Sequence, residues 1–325
     1  MRIAIPDDYQ DCVRTLTCFA KLEGHEVRIF NDTVKGTDEL AARFADAEAI
    51  VLTRERTRID AALLDRLPRL RLISQTGKLA DHVDLAACTA RGIVVAEGRG
   101  AGASTAELAW ALTLASRRHL VQEANRLQQG LWQGHLGQQL GGQRLGVWSY
   151  GRIGRQVAAY GRVFGMKVWV WGREASTQAA LSDGFERAPS REAFFAESDV
   201  ISLHVRLNAQ TAGIVREEDL DRMKRDALLV NTSRAELIAP GALERALRRG
   251  RPGFAAVDVF EEEPLQGGRH PLLSLPNALC TPHIGYVERD NYERYFGIAF
   301  DHIHQFANGT LADVVNPEAL ASARR

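Results

Sequence analysis

The sequence predicts an α/β protein of two domains, each built around a parallel β-sheet. First, a single hydrophobic core stops growing at roughly 250 to 300 residues, and the chain has 325. Second, short apolar runs of strand length alternate with stretches of helical periodicity, the pattern of sheets covered by helices. Third, these runs form two series, one before residue 102 and one after residue 130, so two sheets are expected.

The first series contains five runs with the pattern of buried strands. β-branched residues are common in them, and continuous apolar runs are typical of parallel strands buried on both faces. The runs are RIAI at 2–5, EVRIF at 26–30, AIVLT at 49–53, LRLIS at 70–74 and GIVVA at 92–96.

The second series contains six runs of the same kind, again separated by helical stretches. They predict a second parallel sheet. The runs are RLGVW at 144–148, KVWVW at 167–171, DVISLH at 199–204, ALLVN at 227–231, FAAVDV at 254–259 and NALCT at 277–281.

A long helix is predicted over residues 102–130, between the two series. Ser104 and Glu107 have the S-x-x-E spacing of a capping box, and apolar residues follow at helical spacing. The first domain boundary is therefore expected near residue 101.

A further helix is predicted over residues 288–307, closed by Asn308-Gly309. The short tail after it is expected to pack on the first domain. The predicted domains are thus a discontinuous one, residues 1–100 with 286–325, and a continuous one, residues 101–285.

Charge and composition exclude several classes of partner and location. Lys plus Arg and Asp plus Glu both number 41, so no global field gathers nucleic acid or an anionic membrane. The start of the chain has no signal-peptide core, and the longest apolar helical stretch is shorter than the roughly 20 residues that a bilayer needs. The protein is expected to be cytoplasmic. The four cysteines have no C-x-x-C spacing, so we expect no metal site and no disulfides but free, buried thiols.

A glycine-rich loop, SYGRIG, joins the strand RLGVW to a helical stretch. Gly151 lets the backbone approach a pyrophosphate, Gly154 lets the helix pack on the strand, and the N–H groups at Arg152 and Ile153 attract phosphate. Ser149 occupies the position of the usual first glycine, which changes the turn without removing these two glycines. The loop therefore predicts dinucleotide binding, and the alternative is an ordinary strand-to-helix turn.

The end of the next strand predicts which dinucleotide is bound. An NAD site usually has Asp or Glu there, whereas this strand ends in Gly172-Arg173-Glu174. A guanidinium without a carboxylate suits a 2′-phosphate, so NADP(H) is favoured over NAD(H). Glu174 keeps NAD open, since it could pair with Arg173 or reach the ribose.

Polar residues follow three later strands, at the ends where α/β sheets form their ligand crevice. Histidine is the side chain whose ordinary titration range lies near neutral pH, so His283 suits proton transfer, and the carboxylate of Glu263 would stabilise an imidazolium. Arg234 can bind a carboxylate through two parallel hydrogen bonds. Each residue taken alone also has an ordinary structural interpretation: a turn, a solvated acidic run, or a helix cap.

The segments GRIG, LHV, MK, NTSR, DVFEEEP and TPHIG occur in the order typical of one family, and the chain resembles the D-isomer-specific 2-hydroxyacid dehydrogenases. This resemblance implies two Rossmann-like, doubly wound domains with the active site in the cleft between them. It implies that His283 is the proton donor and acceptor, Glu263 its orienting carboxylate, and Arg234 the substrate anchor. Further cofactor contacts implied in this way are His204, Val205, Ser233, Asp258 and Gly285. Arg206 replaces the family's usual proline.

The segment SQTGKLADHVDL matches the family loop whose backbone N–H groups receive the substrate carboxylate. Thr76, Gly77 and Lys78 are accordingly predicted substrate contacts, although Leu79 replaces a second glycine. Arg54 follows a strand at a position where phosphoglycerate members bind phosphate. Arg54 and Lys78 together indicate a substrate with two negative charges, and the alternative is surface charge without a ligand.

The leading hypothesis is an NAD(P)-dependent oxidoreductase that interconverts a small 2-oxo acid and a D-2-hydroxy acid, of the phosphoglycerate or glyoxylate/hydroxypyruvate type. The alternative is a cofactor-sensing protein like the corepressors of the same family. The long helix from Ser104 has apolar residues on more than one face, including Trp110, and by family analogy predicts a homodimer. The sequence leaves open the natural substrate, the physiological direction and the final choice between NAD and NADP.

Overall fold

The computed structural model describes residues 1–100, 102–312 and 314–323. The chain forms two compact units. The first unit is Met1–Ala101 with Glu288–Arg325, and the second unit is Gly102–Val287.

The first unit contains a five-stranded sheet in which all strands are parallel, as predicted, in the order β2-β1-β3-β4-β5. Strands β3 and β4 are buried along their whole length, which explains their continuous apolar sequences. The strands are β1 Arg2–Ile5, β2 Glu26–Ile29, β3 Ala49–Leu52, β4 Leu72–Gln75 and β5 Val94–Glu97.

The second unit contains a seven-stranded parallel sheet in the order β12-β11-β10-β9-β6-β7-β8. Its strand order reverses between β6 and β9, the point at which α/β sheets bind ligands. The prediction of two parallel sheets is confirmed. The strands are β6 Arg144–Trp148, β7 Lys167–Trp171, β8 Glu186–Arg187, β9 Val200–Leu203, β10 Leu228–Asn231, β11 Phe254–Val257 and β12 Ala278–Cys280.

Helices connect the strands in both units, and short 3₁₀ turns lie between them. The α-helices are α1 Thr37–Phe44, α2 Ala61–Leu64, α3 Leu85–Ala90, α4 Ala103–Arg117, α5 Leu120–Gln128, α6 Arg152–Val163, α7 Glu174–Ser182, α8 Arg191–Glu197, α9 Glu217–Arg222, α10 Ala242–Arg249, α11 Arg289–Ala307 and α12 Pro317–Ala323. No helix in the described ranges is both long and apolar enough to cross a membrane.

The chain re-enters the first unit at Glu288, before α11, and the segment after α11 covers the edge strand β5. The N–H of Val315 donates to the carbonyl of Val95 at 2.8 Å. The Asn316 side chain accepts from the N–H of Val95 at 2.8 Å and donates to the carbonyl of Ile93 at 2.9 Å. The C-terminal segment therefore satisfies backbone groups that an open sheet edge would leave unpaired.

The single helix predicted over 102–130 is wrong, because two helices, α4 and α5, occupy this stretch. They are separated at His119, whose φ of 51° lies in the left-handed region. The capping box is also wrong: α4 begins at Ala103 after a left-handed Gly102 with no side-chain cap, so Ser104 already lies inside the helix.

Trp110 of α4 is a core residue of the second unit. It is 7% exposed, and its ring lies 6.0 Å from that of Tyr160 and 5.0 Å from that of Phe164, both on the α6 side. Trp110 therefore packs within its own unit, and the homodimer expected by family analogy stays a prediction.

The four cysteines are free thiols, and only Cys88 is fully buried; Cys12, Cys18 and Cys280 are half-buried. The expectation of buried thiols thus holds for one of them. In the described part of the chain, no three His, Cys, Asp or Glu side chains are grouped so that they could hold a metal ion.

Candidate active site

Three neighbouring strands of the second unit bring the predicted proton-transfer and anchoring residues to one edge of the sheet. Asn231 at the end of β10 is in register with Val257 at the end of β11, and Val257 with Cys280 at the end of β12. The segments that carry Arg234, Glu263 and His283 therefore all leave the sheet at its carboxyl edge.

His283 and Glu263 form a direct pair. The Nδ1 atom of His283 lies 2.5 Å from Oε2 of Glu263, and Oε1 of Glu263 accepts the N–H of Phe260 at 3.0 Å. Both side chains are mostly buried, at 16% and 15% exposure. An ionised Glu263 requires the proton on Nδ1, so Nε2 is the nitrogen available for proton exchange with a ligand.

Asp258 holds the loop that carries His283. Its Oδ1 accepts the hydroxyl of Thr281 at 2.6 Å and the N–H of Ile284 at 2.8 Å, and its Oδ2 accepts the N–H of Gly285 at 2.8 Å. Burial raises the pKa of this carboxyl group, and the three donated hydrogen bonds oppose that rise. Asp258 and Gly285 were predicted as cofactor contacts, and the structure bonds them to each other; their contact with the cofactor stays a prediction.

Arg234 lies at the end of a turn built by Asn231. The Asn231 side chain donates to the carbonyl of Arg234 at 2.8 Å and accepts the N–H of Ser233 at 3.0 Å. The Ser233 hydroxyl donates to the carbonyl of Leu203 at 2.7 Å. Arg234 occupies the N-cap position of the 3₁₀ turn Ala235–Leu237, but its side chain makes no capping hydrogen bond there.

The glycine loop between β6 and α6 keeps its shape with serine in the first position. Ser149 has a φ of 78°, a conformation usually taken by glycine, and its N–H donates to the carbonyl of Trp171 at 2.8 Å. The N–H of Tyr150 donates to the hydroxyl of Ser176 at 2.5 Å. Ser149 is therefore compatible with the turn.

Gly154 is required by close packing, as predicted from its place in the motif. A Cβ at this position would lie 2.1 Å from the carbonyl oxygen of Ser149 and 3.2 Å from Cγ1 of Val147. Around Gly151 no atom lies within 4 Å of such a Cβ, so this position is open to a ligand. The first intrahelical bond of α6 runs from Arg155 to Gly151, and the N–H groups before it face the helix start. These features fit a dinucleotide phosphate.

Arg173 and Glu174 lie at the start of α7, directly after β7. Glu174 pairs with Arg187 of β8 (Nη1 to Oε2, 2.9 Å), so the predicted alternative of a Glu174–Arg173 pair is wrong. Arg173 is exposed, and its guanidinium has no hydrogen-bond or ion-pair partner among residues 1–100, 102–312 and 314–323.

His204 and Val205 follow β9. Burial lowers the pKa of His204 to about 3, so its ring is neutral, and Nε2 lies 2.9 Å from the hydroxyl of Ser202. The His204 N–H donates to the carbonyl of Trp148 at 3.0 Å, which ties this segment to the strand before the glycine loop. Val205 packs against the core of the second unit. Their contact with the cofactor stays a prediction.

The first unit brings Arg54, Thr76 and Gly77 together at the ends of β3 and β4. Arg54 has a φ of 56°, and its N–H donates to the hydroxyl of Thr76 at 2.9 Å. Thr76 in turn donates to the carbonyl of Leu52 at 2.7 Å. Gly77 has a φ of 91°, and Lys78 beside it is exposed.

Two residues beside this cluster were not predicted. Gln75 is fully buried, and its amide donates to the carbonyl of Arg54 at 2.9 Å. Tyr295 of α11 has its ring centroid 5.3 Å from the Arg54 guanidinium carbon. Gln75 is the polar last residue of a buried strand, a signal from which it was predictable, whereas no local pattern marks Tyr295.

More than half of the chain matches the sequence model of a known protein family. The model described as "D-isomer specific 2-hydroxyacid dehydrogenase, NAD binding domain" matches residues 110–285. This range includes the glycine loop and the segments that carry Arg234, Glu263 and His283.

Individual relatives match over most of the chain. A glyoxylate reductase of Aeropyrum pernix is 37% identical over 290 residues, which are 86% of this chain and 85% of that protein. A D-3-phosphoglycerate dehydrogenase of Methanocaldococcus jannaschii is 33% identical over 97% of this chain, which spans 59% of that protein's length. A crystal structure of an oxidoreductase from Ralstonia solanacearum is 52% identical with a TM-score of 0.96, covering 99% of each chain.

Proposed function

The chain belongs to the D-isomer-specific 2-hydroxyacid dehydrogenases, and we propose that it reduces a small 2-oxo acid to the D-2-hydroxy acid with NADPH as its preferred cofactor. The family and the named relatives make it an oxidoreductase that acts on CH–OH groups with a nicotinamide cofactor. No observation on the described residues favours the alternative, a cofactor-sensing binding protein.

The observation that carries the proposed reaction is the 2.5 Å contact between Nδ1 of His283 and Glu263. When bound, the nicotinamide supplies the hydride for the carbonyl carbon. His283 supplies a proton to the carbonyl oxygen from Nε2, and Glu263 stabilises the imidazolium form that can donate it. Arg234 anchors the substrate carboxylate and carbonyl, which fixes the face of the carbonyl carbon that receives the hydride.

The preference for NADPH rests on the residues at the end of β7. Position 172 is glycine and not Asp or Glu, the Glu174 carboxylate pairs with Arg187, and the neighbouring Arg173 is exposed. A guanidinium binds phosphate through paired donors, and the start of α7 adds the positive end of a helix. Arg173 would therefore hold a ribose 2′-phosphate.

The substrate class rests on the cluster in the first unit. We assign the substrate carboxylate to the loop at Thr76, Gly77 and Lys78, where Gly77 has a left-handed φ of 91°. The N–H of Thr76 already donates to the carbonyl of Leu52 at 3.0 Å, so the N–H groups of Gly77 and Lys78 would receive the carboxylate. Arg54 and Lys78 would receive a second anionic group. The proposed substrates are 2-oxo acids of the glyoxylate/hydroxypyruvate type or the 2-oxo acid that corresponds to phosphoglycerate, and a second anionic site favours the phosphorylated one.

We assign a homodimer surface to the α5 region of the second unit. The apolar side chains of this segment are unusually exposed, with Trp132 at 74% and Leu136 at 94%. Contiguous exposed apolar surface marks interaction sites, and a second copy of the chain is the commonest partner. The other members of this surface are Leu120, Val121, Leu127 and Leu131. Light scattering should give the dimer mass for the wild type and the monomer mass for Trp132→Glu.

Parallel titrations test the cofactor assignment. NADPH and NADH are titrated by calorimetry into the wild type, Arg173→Ala and the control Arg248→Ala, whose arginine pairs with Glu244 on α10. Arg173→Ala should weaken NADPH binding about tenfold or more and leave NADH within about twofold, since one charge-assisted contact is lost. Equal weakening of both cofactors contradicts the assignment.

A panel of 2-oxo acids, followed by stopped-flow oxidation of the tighter cofactor, tests the reaction. His283→Gln should abolish turnover while cofactor affinity stays within about twofold, because the ring acts on the proton and not on the dinucleotide. Absence of turnover with every 2-oxo acid in the wild type overturns the proposed function.

A further inference from the structure

The ring of Tyr295 lies against the guanidinium of Arg54, in the group that Arg54, Thr76 and Gly77 form at the ends of β3 and β4. We propose that Tyr295 is a positioning residue that fixes the Arg54 guanidinium as the receiver of a second anionic group on the ligand. This inference rests on the proposed function for its biological meaning. It concerns α11, a helix that none of the sequence motifs includes.

The backbone of Arg54 is fastened on both sides. Its N–H donates to the Thr76 hydroxyl at 2.9 Å, and its carbonyl accepts the Gln75 amide at 2.9 Å. These bonds hold a non-glycine residue at a φ of 56°, a strained conformation of the kind that clusters at ligand sites. The direction in which the side chain leaves the backbone is thereby set.

The guanidinium end is located by Gly77 and Tyr295. A Cβ on Gly77 would lie 2.1 Å from Nη1 of Arg54 and 3.2 Å from Cε1 of Tyr295, so glycine lets all three groups meet. The guanidinium carbon lies 5.3 Å from the ring centroid of Tyr295. The Arg54 side chain keeps 19% exposure; its Nη2 lies 3.9 Å from Oε1 of Glu55, and its Nη1 donates to the carbonyl of Thr76 at 3.4 Å, so an anionic ligand would compete with these long contacts.

Tyr295 also contacts the segment after β5. A Cβ on Gly100 would lie 2.2 Å from the Tyr295 hydroxyl and 2.7 Å from its Cζ. The ring, 9% exposed, therefore packs under the ends of three successive strands, at Arg54, Gly77 and Gly100. A rigid aromatic face in this place restricts a long, flexible side chain to few orientations.

A flat ring face suits this task because guanidinium groups stack on aromatic faces while their N–H donors stay in the plane, directed outward. The arginine then offers a paired-donor edge to a phosphate or carboxylate without first losing rotamer freedom. The aromatic face carries this effect, and the hydroxyl is not needed for it. Phenylalanine should therefore replace Tyr295, whereas leucine should not.

The test measures binding of a ligand that cannot be reduced, so it does not depend on turnover. Phosphoglycolate carries a carboxylate and a phosphate, and glycolate carries the carboxylate alone. Both are titrated by calorimetry into the full-length wild type, Tyr295→Phe, Tyr295→Leu and Arg54→Met. The matched control is Tyr292→Leu, which removes a buried ring from the same helix, one that packs on Phe296.

We expect Tyr295→Leu to weaken phosphoglycolate binding about tenfold and glycolate binding less than about twofold, the size of a desolvated cation–π contact. Tyr295→Phe and Tyr292→Leu should stay within about twofold of the wild type. In the Arg54→Met background, Tyr295→Leu should have no further effect, because the group it positions is gone. KM values for glyoxylate and a phosphorylated 2-oxo acid should show the same pattern, with kcat little changed.

Equal losses for both ligands, a Tyr295→Phe loss as large as that of Tyr295→Leu, or an additive loss in the Arg54→Met background each overturn the role of Tyr295. Phosphoglycolate binding no tighter than glycolate in the wild type also overturns it. Failure of the proposed function has a different signature: the binding pattern is retained, and no 2-oxo acid is reduced.

Discussion

Gly154→Ala should damage dinucleotide binding far more than it damages the fold. The new Cβ would lie 2.1 Å from the carbonyl oxygen of Ser149, whereas a carbon and an oxygen in contact need roughly 3.3 Å. The start of α6 and the glycine loop must therefore move apart by about 1 Å. This movement displaces the N–H groups that would receive the phosphate.

The stability change is the balance of two terms. Overpacking costs about 1–3 kcal/mol, and replacing glycine by alanine within a helix returns about 1 kcal/mol. The free energy of unfolding should therefore fall by about 0–2 kcal/mol. Loss of one hydrogen bond to a charged phosphate costs about 1.5–3 kcal/mol, so the Kd for the dinucleotide should rise about tenfold or more.

Gly161→Ala is the matched control, seven positions further along α6. Its Cβ would lie 2.5 Å from Cδ2 of Leu145 and 3.1 Å from Cγ2 of Val168, so it presses on core side chains and not on the glycine loop. Calorimetric titration with NADPH and NADH, beside urea unfolding, compares the two variants. Dinucleotide affinity should stay within about twofold for Gly161→Ala. If Gly154→Ala binds as tightly as the wild type, or Gly161→Ala binds as weakly as Gly154→Ala, the assignment of this loop is wrong.

Three shorter predictions concern other sites. Ser149→Gly should remove the backbone strain of a left-handed serine, about 1–2 kcal/mol, at a cost of about 0.4–1 kcal/mol from the greater entropy of the unfolded chain. Urea unfolding should therefore show a small increase in the free energy of unfolding, with dinucleotide affinity unchanged. A destabilised variant contradicts this prediction. Because the folded pKa of His204 is lowered to about 3, the unfolded state binds more protons as the pH falls below about 6.5, and stability decreases on acidification. Between pH 6.5 and pH 5, the free energy of unfolding of the wild type, measured by urea titration, should fall by up to about 2 kcal/mol more than that of His204→Gln. If the two proteins lose stability equally over this range, the pKa of His204 is not lowered. In steady-state assays, Lys78→Ala should raise the KM for a doubly anionic 2-oxo acid and leave the KM for glyoxylate unchanged. Equal effects on both KM values would show that Lys78 does not bind the second anionic group.

The strands of both sheets were predictable because burial on both faces leaves a continuous apolar signal. KVWVW at 167–171 and RLGVW at 144–148 match β7 and β6 residue for residue. β8 carries no such signal, since Glu186–Arg187 is a two-residue polar strand that exists through its pairing with β7. The break between α4 and α5 was missed because His119 is neither glycine nor proline.

The residues of the proposed proton transfer were predictable from their types, whereas the contacts that hold them in place follow only from the tertiary structure. His283 and Glu263 were expected to act together, and adjacent strands β12 and β11 bring them into contact. Of the three bonds that hold the His283 loop to Asp258, two come from backbone N–H groups, which any residue supplies, so they have no sequence signal; the third comes from the Thr281 hydroxyl. The contact between Arg54 and Tyr295 joins residues from opposite ends of the chain, so it follows only from the packing of α11.

Three of the proposed site residues share a strained, left-handed backbone conformation. Among the described residues, left-handed non-glycine conformations include Arg54, Ser149 and His283, with φ values of 56°, 78° and 50°. Each lies within three residues of the carboxyl end of a strand, and the N–H of each donates a hydrogen bond: to the Thr76 hydroxyl, to the Trp171 carbonyl and to the Thr281 carbonyl, respectively. A left-handed residue turns the chain sharply where an extended one would continue along the strand. The strain of about 1–3 kcal/mol at each position persists because the surrounding hydrogen bonds over-determine it, and the same restraint orients a guanidinium, a phosphate-binding turn and an imidazole, each at the carboxyl end of its own sheet.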